Sequence, residues 1–120
     1  MGEKTTGFAS PAQGYEEQAI DLNRLLIHNP PATYFVRLES SDMVPLGLPP
    51  GSLLIVDRSK DAVHNSLVLL RHEGRFLCRL MVKDKGKTLF LSGGTEIIPT
   101  DETEIIGTIT ASIKTYGTDF

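Results

Sequence analysis

The sequence predicts a single mostly-β domain, in which short strands form a closed or half-closed barrel-like sheet beside one small helix. Three observations predict it. The length of 120 residues suits one domain, apolar residues alternate with polar ones in several short runs, and turn-forming residues separate those runs. We therefore expect roughly six or seven short strands.

Charge and cysteine content argue against several classes of function. The formal net charge is −3 and no block of Lys and Arg stands out, so direct sequence-specific DNA binding is not expected. The single cysteine, Cys78, cannot form an internal disulfide and fits a reducing compartment. The first residues contain no apolar signal-peptide segment, and no run is long enough to cross a bilayer. These features predict a cytoplasmic protein without a membrane anchor.

The amino-terminal part divides into an arm and a helix. Residues 1–19 are predicted to form an extended, partly mobile arm, because they are rich in small and polar residues. A helix is predicted from Asp21 to Ile27, where the Asp21 carboxylate can cap the amino end and two later prolines end the helix. Residues 20–120 are expected to form the single β domain.

The rest of the chain has the alternation and turn signals of strands. Glu73-Gly74 predicts a tight turn, and residues 83–87 predict a hairpin loop. The predicted strands are Thr33–Leu38, Leu53–Val56, Leu67–Leu70, Arg75–Val82, Thr88–Leu91 and Ile105–Lys114.

The last strand is the predicted dimerisation element. Its residues Ile105, Ile109 and Ile113 are expected to face one way. An apolar alternating strand at the end of a chain is a natural sheet edge, so this strand is expected to pair with a second copy.

The remaining reactive residues predict no metal or cofactor site. The histidines are scattered, with no carboxylate or cysteine at ligand spacing. Cys78 alternates with Phe76 and Leu80 along a predicted strand, which is typical of a small core residue. We expect no cofactor.

Three segments of the sequence together resemble the UmuD-like proteins of the LexA family of self-cleaving serine–lysine proteins. They are GFASPA at residues 7–12, IDLNRLLIHNPPATYFVR at residues 20–37 and GSLLIVDRS at residues 51–59. The resemblance continues through residues 74–81 and, more loosely, to the end of the chain. It implies a LexA/UmuD-like C-terminal-domain fold, a curved half-barrel sheet with one small helix and an extended N-terminal arm.

The resemblance also implies that both catalytic positions are changed. The family's nucleophilic serine stands immediately before a methionine, and here Asp42 precedes Met43. The family's general-base lysine follows the Gly-x-Phe turn, and here Arg79 stands three residues after Phe76. Arginine stays protonated in proteins and cannot act as the base. We expect no catalysis and an ion pair between Asp42 and Arg79, since an arginine fork suits a carboxylate.

The arm carries the corresponding scission segment. The family cuts its own arm before the glycine of a GF-x-SPA segment, which corresponds here to the bond between Thr6 and Gly7. Only residues 1–6 precede that bond, so we expect a chain close to the family's processed form, with a vestigial scission site.

By resemblance, the predicted function is that of an inactive accessory subunit of a Y-family, UmuC-like translesion polymerase in the bacterial SOS response. The implied partners are a second copy of the chain, the polymerase and the RecA filament, with residues 5–18 as a recognition element. Two alternatives stay open. One is a self-cleaving serine protease with an atypical site, in which Ser41 or Asp42 acts without a lysine. The other is a truncated LexA-like or phage-repressor-like dimerisation module.

Overall fold

The computed structural model describes residues 20–117, which form one open antiparallel sheet of seven strands with one short α-helix. The strands lie in the order β1-β2-β7-β3-β4-β5-β6, and every neighbouring pair is antiparallel. The elements are α1 (Leu22–Leu26), β1 (Thr33–Arg37), β2 (Leu53–Asp57), β3 (Leu67–His72), β4 (Arg75–Asp84), β5 (Lys87–Ser92), β6 (Thr95–Ile97) and β7 (Thr103–Ile113).

The small helix begins where its capping residue predicts. The Asp21 carboxylate accepts hydrogen bonds from the backbone N–H groups of Asn23 (3.0 Å) and Arg24 (3.4 Å), which satisfies two amide donors that the helix itself leaves unpaired. No residue of α1 is buried, so the helix contributes little to the core.

Two hairpins build the β3-β4-β5 part of the sheet. Glu73 and Gly74 join β3 to β4, and Lys85 and Gly86 join β4 to β5. All four residues have positive φ, between 52° and 81°, which is the backbone of a type I′ turn and matches the twist of the flanking strands. The second loop is shorter than the predicted residues 83–87, because ladder pairing continues to the ends of both strands.

The last strand differs from its prediction in two ways. It lies inside the sheet, hydrogen-bonded to both β2 and β3, so the expectation of an edge strand is wrong. Its pairing register shifts twice, opposite Leu69/Leu70 and opposite Ile55/Val56. Each shift inserts an extra residue and reverses the face of the residues beyond it. Ile109 is therefore buried on one face, whereas Ile105 and Ile113 lie on the other, so the three isoleucines do not share a face.

Glycine is required at position 107, where β7 runs close beside β2. A Cβ atom at Gly107 would lie 2.7 Å from Cγ1 of Val56, which is closer than side chains tolerate. The two strands can approach this closely only because Gly107 has no side chain.

The sheet carries packed side chains on both faces, since consecutive strand residues point to opposite sides. One cluster of buried residues consists of Leu38, Met43, Leu48, Leu54, Val56, Leu69, Cys78 and Ile109. The other consists of Val68, Leu70, Met81 and Phe90. The first cluster matters for function, because it forms the floor beneath the candidate site.

The predicted mostly-β fold with one small helix is confirmed, and the sheet is open rather than closed. The predicted arm, residues 1–19, lies outside the described residues, as do the Thr6–Gly7 bond and the recognition element at residues 5–18. Within residues 20–117, no helix is long and apolar enough to span a membrane.

Candidate functional site

The site forms where the loop after β1 meets the middle of β4. One guanidinium nitrogen of Arg79, Nη2, lies 3.4 Å from Oδ2 of Asp42. The residues are 37 positions apart in the chain, so only the fold brings them together. The expected ion pair is present between the two positions that the sequence singles out.

The two partners differ in their exposure to water. The Arg79 side chain is 8% exposed, whereas the Asp42 side chain is 48% exposed. Arg79 lies in a central part of β4, opposite Val68 of β3, and its charge is held inside the protein. Asp42 comes from a loop and keeps contact with solvent. The pair is therefore a buried cation beside a half-exposed anion, rather than a fully buried ion pair.

The loop that carries Asp42 is held by its neighbours. The Oγ of Ser40 accepts a hydrogen bond from the backbone N–H of Asp42 (2.9 Å). The Met43 side chain is fully buried, and its backbone carbonyl accepts hydrogen bonds from the N–H groups of Leu46 (3.0 Å) and Leu48 (3.1 Å). Burial of Met43 therefore anchors the loop, and Asp42 is directed toward β4 as a consequence.

The hydrogen bonds of Arg79 are incomplete. Its Nη1 donates to the carbonyl of Cys78 (2.7 Å), and its Nη2 makes the long contact with Asp42. The buried Nε has no hydrogen-bond partner among the described residues. A buried donor without a partner costs free energy, so the guanidinium retains an unused capacity to bind an acceptor.

A cleft of about 240 Å³ opens beside this pair. We call it the Arg79 cleft, and its lining residues are Val36, Arg37, Leu38, Glu39, Ser40, Asp42, Met43, Leu54, Leu69, Phe76, Leu77, Cys78 and Arg79. Its floor is the apolar cluster around Leu54 and Leu69. Most of its surface is apolar, with charged groups at Arg79 and on the loop.

The half of β4 that lines the cleft lacks a strand on one side. Residues Arg75–Arg79 pair with β3, whereas pairing with β5 begins only at Leu80. Among residues 20–117 no other strand pairs with β4. Phe76 is 63% exposed at this position and lines the cleft.

Cys78 lies in the same cleft without the character of a nucleophile. Its thiol is buried, and burial raises its pKa to about 11, although the charge of Arg79 acts in the opposite direction. A thiol of this pKa is almost entirely protonated near neutral pH. The structure thus places Cys78 in the core, as its alternation predicts.

No lysine lies among the described residues that line the cleft. Arg79 cannot take a proton from a hydroxyl, and the lysines closest to it in sequence, Lys83, Lys85 and Lys87, are exposed. Within the described part of the chain, no group of three His, Cys, Asp or Glu side chains could hold a metal ion. The cleft presents the buried Arg79 cation, the loop anions Glu39 and Asp42, a second cation at Arg37 and an apolar floor.

The sequence could not have predicted the cleft or the exposure of Phe76. The resemblance points to Asp42 and Arg79, and the structure brings the two side chains together. The cleft depends on where β5 begins relative to β4, and on how far the Ser40–Met43 loop stands from the sheet. Neither has a local sequence signal.

Comparison with known proteins gives one family and several relatives. The profile of the family described as Peptidase S24-like matches residues 1–110. Protein SamA of Salmonella typhimurium is 36% identical over 115 residues, which is 94% of this chain and 82% of SamA. Protein MucA of Escherichia coli is 45% identical over 65 residues, 54% of this chain and 44% of MucA. Protein ImpA of Shigella flexneri is 38% identical over 76 residues, 63% of this chain and 52% of ImpA. The match spans most of SamA and about half of MucA and ImpA.

Proposed function

The chain belongs to the Peptidase S24-like family and is UmuD-like, and from that premise we propose that it is a catalytically inactive accessory subunit of an error-prone DNA polymerase. The polymerase would be of the Y-family, UmuC-like kind that acts in translesion synthesis during the bacterial SOS response. The proposal concerns protein–protein contacts in the cytoplasm, and it requires no cofactor.

The contact between Asp42 and Arg79 is the observation that carries the proposed inactivity. By resemblance, these positions correspond to the serine nucleophile and the lysine base. Serine–lysine chemistry needs a base that can become neutral, which a buried lysine can do because desolvation lowers its pKa. The Arg79 guanidinium stays charged. It forms an ion pair with Asp42 where the resemblance places the serine and the lysine. The site would then have no hydroxyl at the nucleophile position and no side chain able to become a neutral amine at the base position.

Membership of the UmuD-like group supports the accessory role. The described residues contain apolar surface for partners, such as Phe35 and Phe76 on the sheet and Leu22 and Leu25 on α1, all of which are exposed. The RecA filament is a further partner in this proposal, with residues 5–18 as the contacting segment.

A second copy of the chain is the first partner that we propose. Although β7 lies inside the sheet, residues 111–113 pair with β2 alone, because pairing with β3 stops at Ile109. The far side of this half of β7 borders a small cavity lined in part by Leu48 and Ser112. A strand from a second copy could add to this half of β7, so the dimer contact would use the end of β7 rather than a whole edge strand.

Co-expression with a UmuC-like Y-family polymerase tests the accessory role. We expect the tagged polymerase to retain this chain through size-exclusion chromatography, with a mass that corresponds to two copies of the chain per polymerase. Ala111→Pro, which removes a backbone N–H from the half of β7 that does not pair with β3, is expected to reduce the retained mass by one copy. Elution of chain and polymerase as separate species would contradict the accessory role. Retention of a full-length LexA-like repressor instead would favour the dimerisation-module alternative.

A further inference from the structure

We propose that the Arg79 cleft is a docking site for an extended peptide segment that carries an acidic side chain, which the Arg79 guanidinium binds in exchange for Asp42. The proposal deepens the proposed function and rests on it, because a chain that still cut peptides at this site would not retain them. The occupant is a segment of a separate protein partner.

The first argument is the half-used fork of Arg79. The Nε and Nη2 groups of an arginine point to the same side and can hold both oxygens of one carboxylate. Here Asp42 contacts Nη2 alone, at 3.4 Å, and Nε has no partner among the described residues. The Arg79 side chain is more than nine-tenths buried and it lines the cleft. Because Nε has almost no contact with solvent, a carboxylate can reach both nitrogens only after Asp42 has moved away.

The second argument is that Asp42 can leave at small cost. Its side chain is half-exposed and its single contact with Arg79 is long, so the contact contributes little free energy. Asp42 lies on a loop and can turn toward water, where its charge is solvated. An incoming carboxylate replaces it without a change in the net charge beside the buried guanidinium, which avoids a stranded buried charge.

The third argument concerns the rest of the occupant. The floor of the cleft is apolar, formed by residues such as Leu54 and Leu69, and exposed Phe76 stands at its side. The half of β4 from Arg75 to Arg79 has no strand on its β5 side within residues 20–117. An extended peptide can pair with such a free backbone and place alternate side chains toward the floor. Apolar residues flanking one acidic residue would fit this surface.

Fluorescence polarisation with a matched pair of peptides tests the proposal. The probe is a labelled, amidated seven-residue peptide of alternating valine and serine with one central glutamate, and the control peptide has glutamine at that position. We expect the full chain to bind the glutamate peptide about tenfold more tightly, because only a carboxylate makes charge-assisted hydrogen bonds to both nitrogens. Equal affinity for the two peptides, or no binding of either at millimolar protein, would overturn the proposal.

Three variants locate the binding group. Arg79→Gln is expected to abolish the preference for glutamate. Arg24→Gln changes an exposed arginine on α1 that does not line the cleft, and it is expected to leave the preference unchanged. Asp42→Asn is expected to tighten binding of the glutamate peptide about two- to fivefold, because the competing carboxylate is gone. If Arg79→Gln does not fold, the Asp42→Asn variant decides alone, and no gain in affinity would overturn the proposal.

The outcome also separates this proposal from the proposed inactivity. If the chain is cut at Thr6–Gly7 but still prefers the glutamate peptide, the inactivity fails while the recognition of a carboxylate stands. If the chain stays intact but shows no preference, only the docking proposal fails. Tighter binding of a synthetic peptide of residues 1–19 than of the probe would make the chain's own first segment the occupant and would overturn the choice of a separate partner.

Discussion

Removal of the Asp42 carboxylate and removal of the Arg79 guanidinium should lower the free energy of unfolding by unequal amounts. A double-mutant cycle measures the difference. The variants are Asp42→Asn, Arg79→Met and the combination of both. Asp42→Asn leaves a guanidinium that is 8% exposed with the Cys78 carbonyl as its remaining partner among the described residues. Arg79→Met leaves a half-exposed carboxylate that water can solvate. Loss of the carboxylate should therefore destabilise the fold more than loss of the guanidinium.

The geometry sets the size of each effect. Loss of a charge-assisted hydrogen bond to a buried group costs about 1.5–3 kcal/mol, and the long contact and half-exposed carboxylate reduce this to about 1 kcal/mol for Asp42→Asn. Arg79→Met loses the bond to the Cys78 carbonyl but also removes the unpaired Nε, so its net effect should lie within about 1 kcal/mol of zero. The double variant should resemble Arg79→Met, which gives a coupling energy of about 1 kcal/mol.

Urea denaturation followed by far-UV circular dichroism provides the free energies of unfolding, since the chain has no tryptophan for a fluorescence signal. The matched control is the pair formed by Arg71 and Glu104, whose side chains are 51% and 58% exposed. Its coupling energy should be below about 0.5 kcal/mol, because both charges are solvated when separated. A coupling energy for Asp42–Arg79 no larger than that of the control would refute the reasoning, as would a larger cost for Arg79→Met than for Asp42→Asn.

Three further predictions concern the residues around the site. Met43→Ala should lower the free energy of unfolding by about 2–5 kcal/mol, because it leaves a cavity under the loop of Asp42; urea denaturation measures the loss. Asp57 has a pKa below its ordinary value of 3.8, mainly because its carboxylate accepts two hydrogen bonds from Ser59, so it contributes stability at neutral pH that is lost as the pH falls through its pKa in the folded protein. Asp57→Asn should therefore be less stable than the parent chain at pH 7; in thermal melts the difference should begin to shrink near pH 3.8 and disappear below the lower pKa of Asp57 in the folded protein. The thiol of Cys78 should react slowly with iodoacetamide at pH 7 and faster up to its pKa of about 11.

Each of these has an outcome that contradicts it. A cost below about 1 kcal/mol for Met43→Ala would mean that the loop is not anchored by this side chain. A stability difference for Asp57→Asn that persists unchanged at pH 3 would mean that the carboxylate charge is not its cause. A labelling rate of Cys78 that levels off near pH 9 would show an ordinary thiol, and labelling in denaturant serves as the control for reagent reactivity.

Local features of the fold were predictable because their causes are local. The Asp21 cap, the apolar run of β2 and the Glu73-Gly74 turn each depend on residues adjacent in sequence, and each was located within one or two residues of its position in the structure. The same holds for the burial of Cys78, which follows from alternation along one strand.

The place and register of β7 were not predictable in the same way. The alternation of apolar and polar residues in β7 led to the prediction of an edge strand. A long strand with apolar residues on both faces can also lie between two other strands, and β7 lies between β2 and β3. The two register shifts move Ile109 to the face opposite Ile105 and Ile113. An isolated glycine within a strand pattern often marks an irregularity, so Gly107 was a signal that one shift occurs nearby; the second shift has no such marker.

The resemblance predicts which two residues form the candidate site, whereas the burial of their side chains and the cleft beside them depend on tertiary structure. Nothing in the spacing of Asp42 and Arg79 pairs them, so the resemblance was needed to connect them. The unequal burial of the two side chains, the unpaired Nε of Arg79 and the cleft arise only when the loop packs against β4. These are the features from which the docking proposal is argued.

The most direct test of the account is the intact mass of the chain before and after incubation at about pH 10, where an ordinary lysine begins to deprotonate. The parent chain and the double variant Asp42→Ser/Arg79→Lys are incubated side by side. We predict that the parent chain keeps its mass, whereas the variant loses residues 1–6 through cleavage at Thr6–Gly7. Cleavage of the parent chain at this bond would contradict the central claim, because the loop containing Asp42 would then be a working active site.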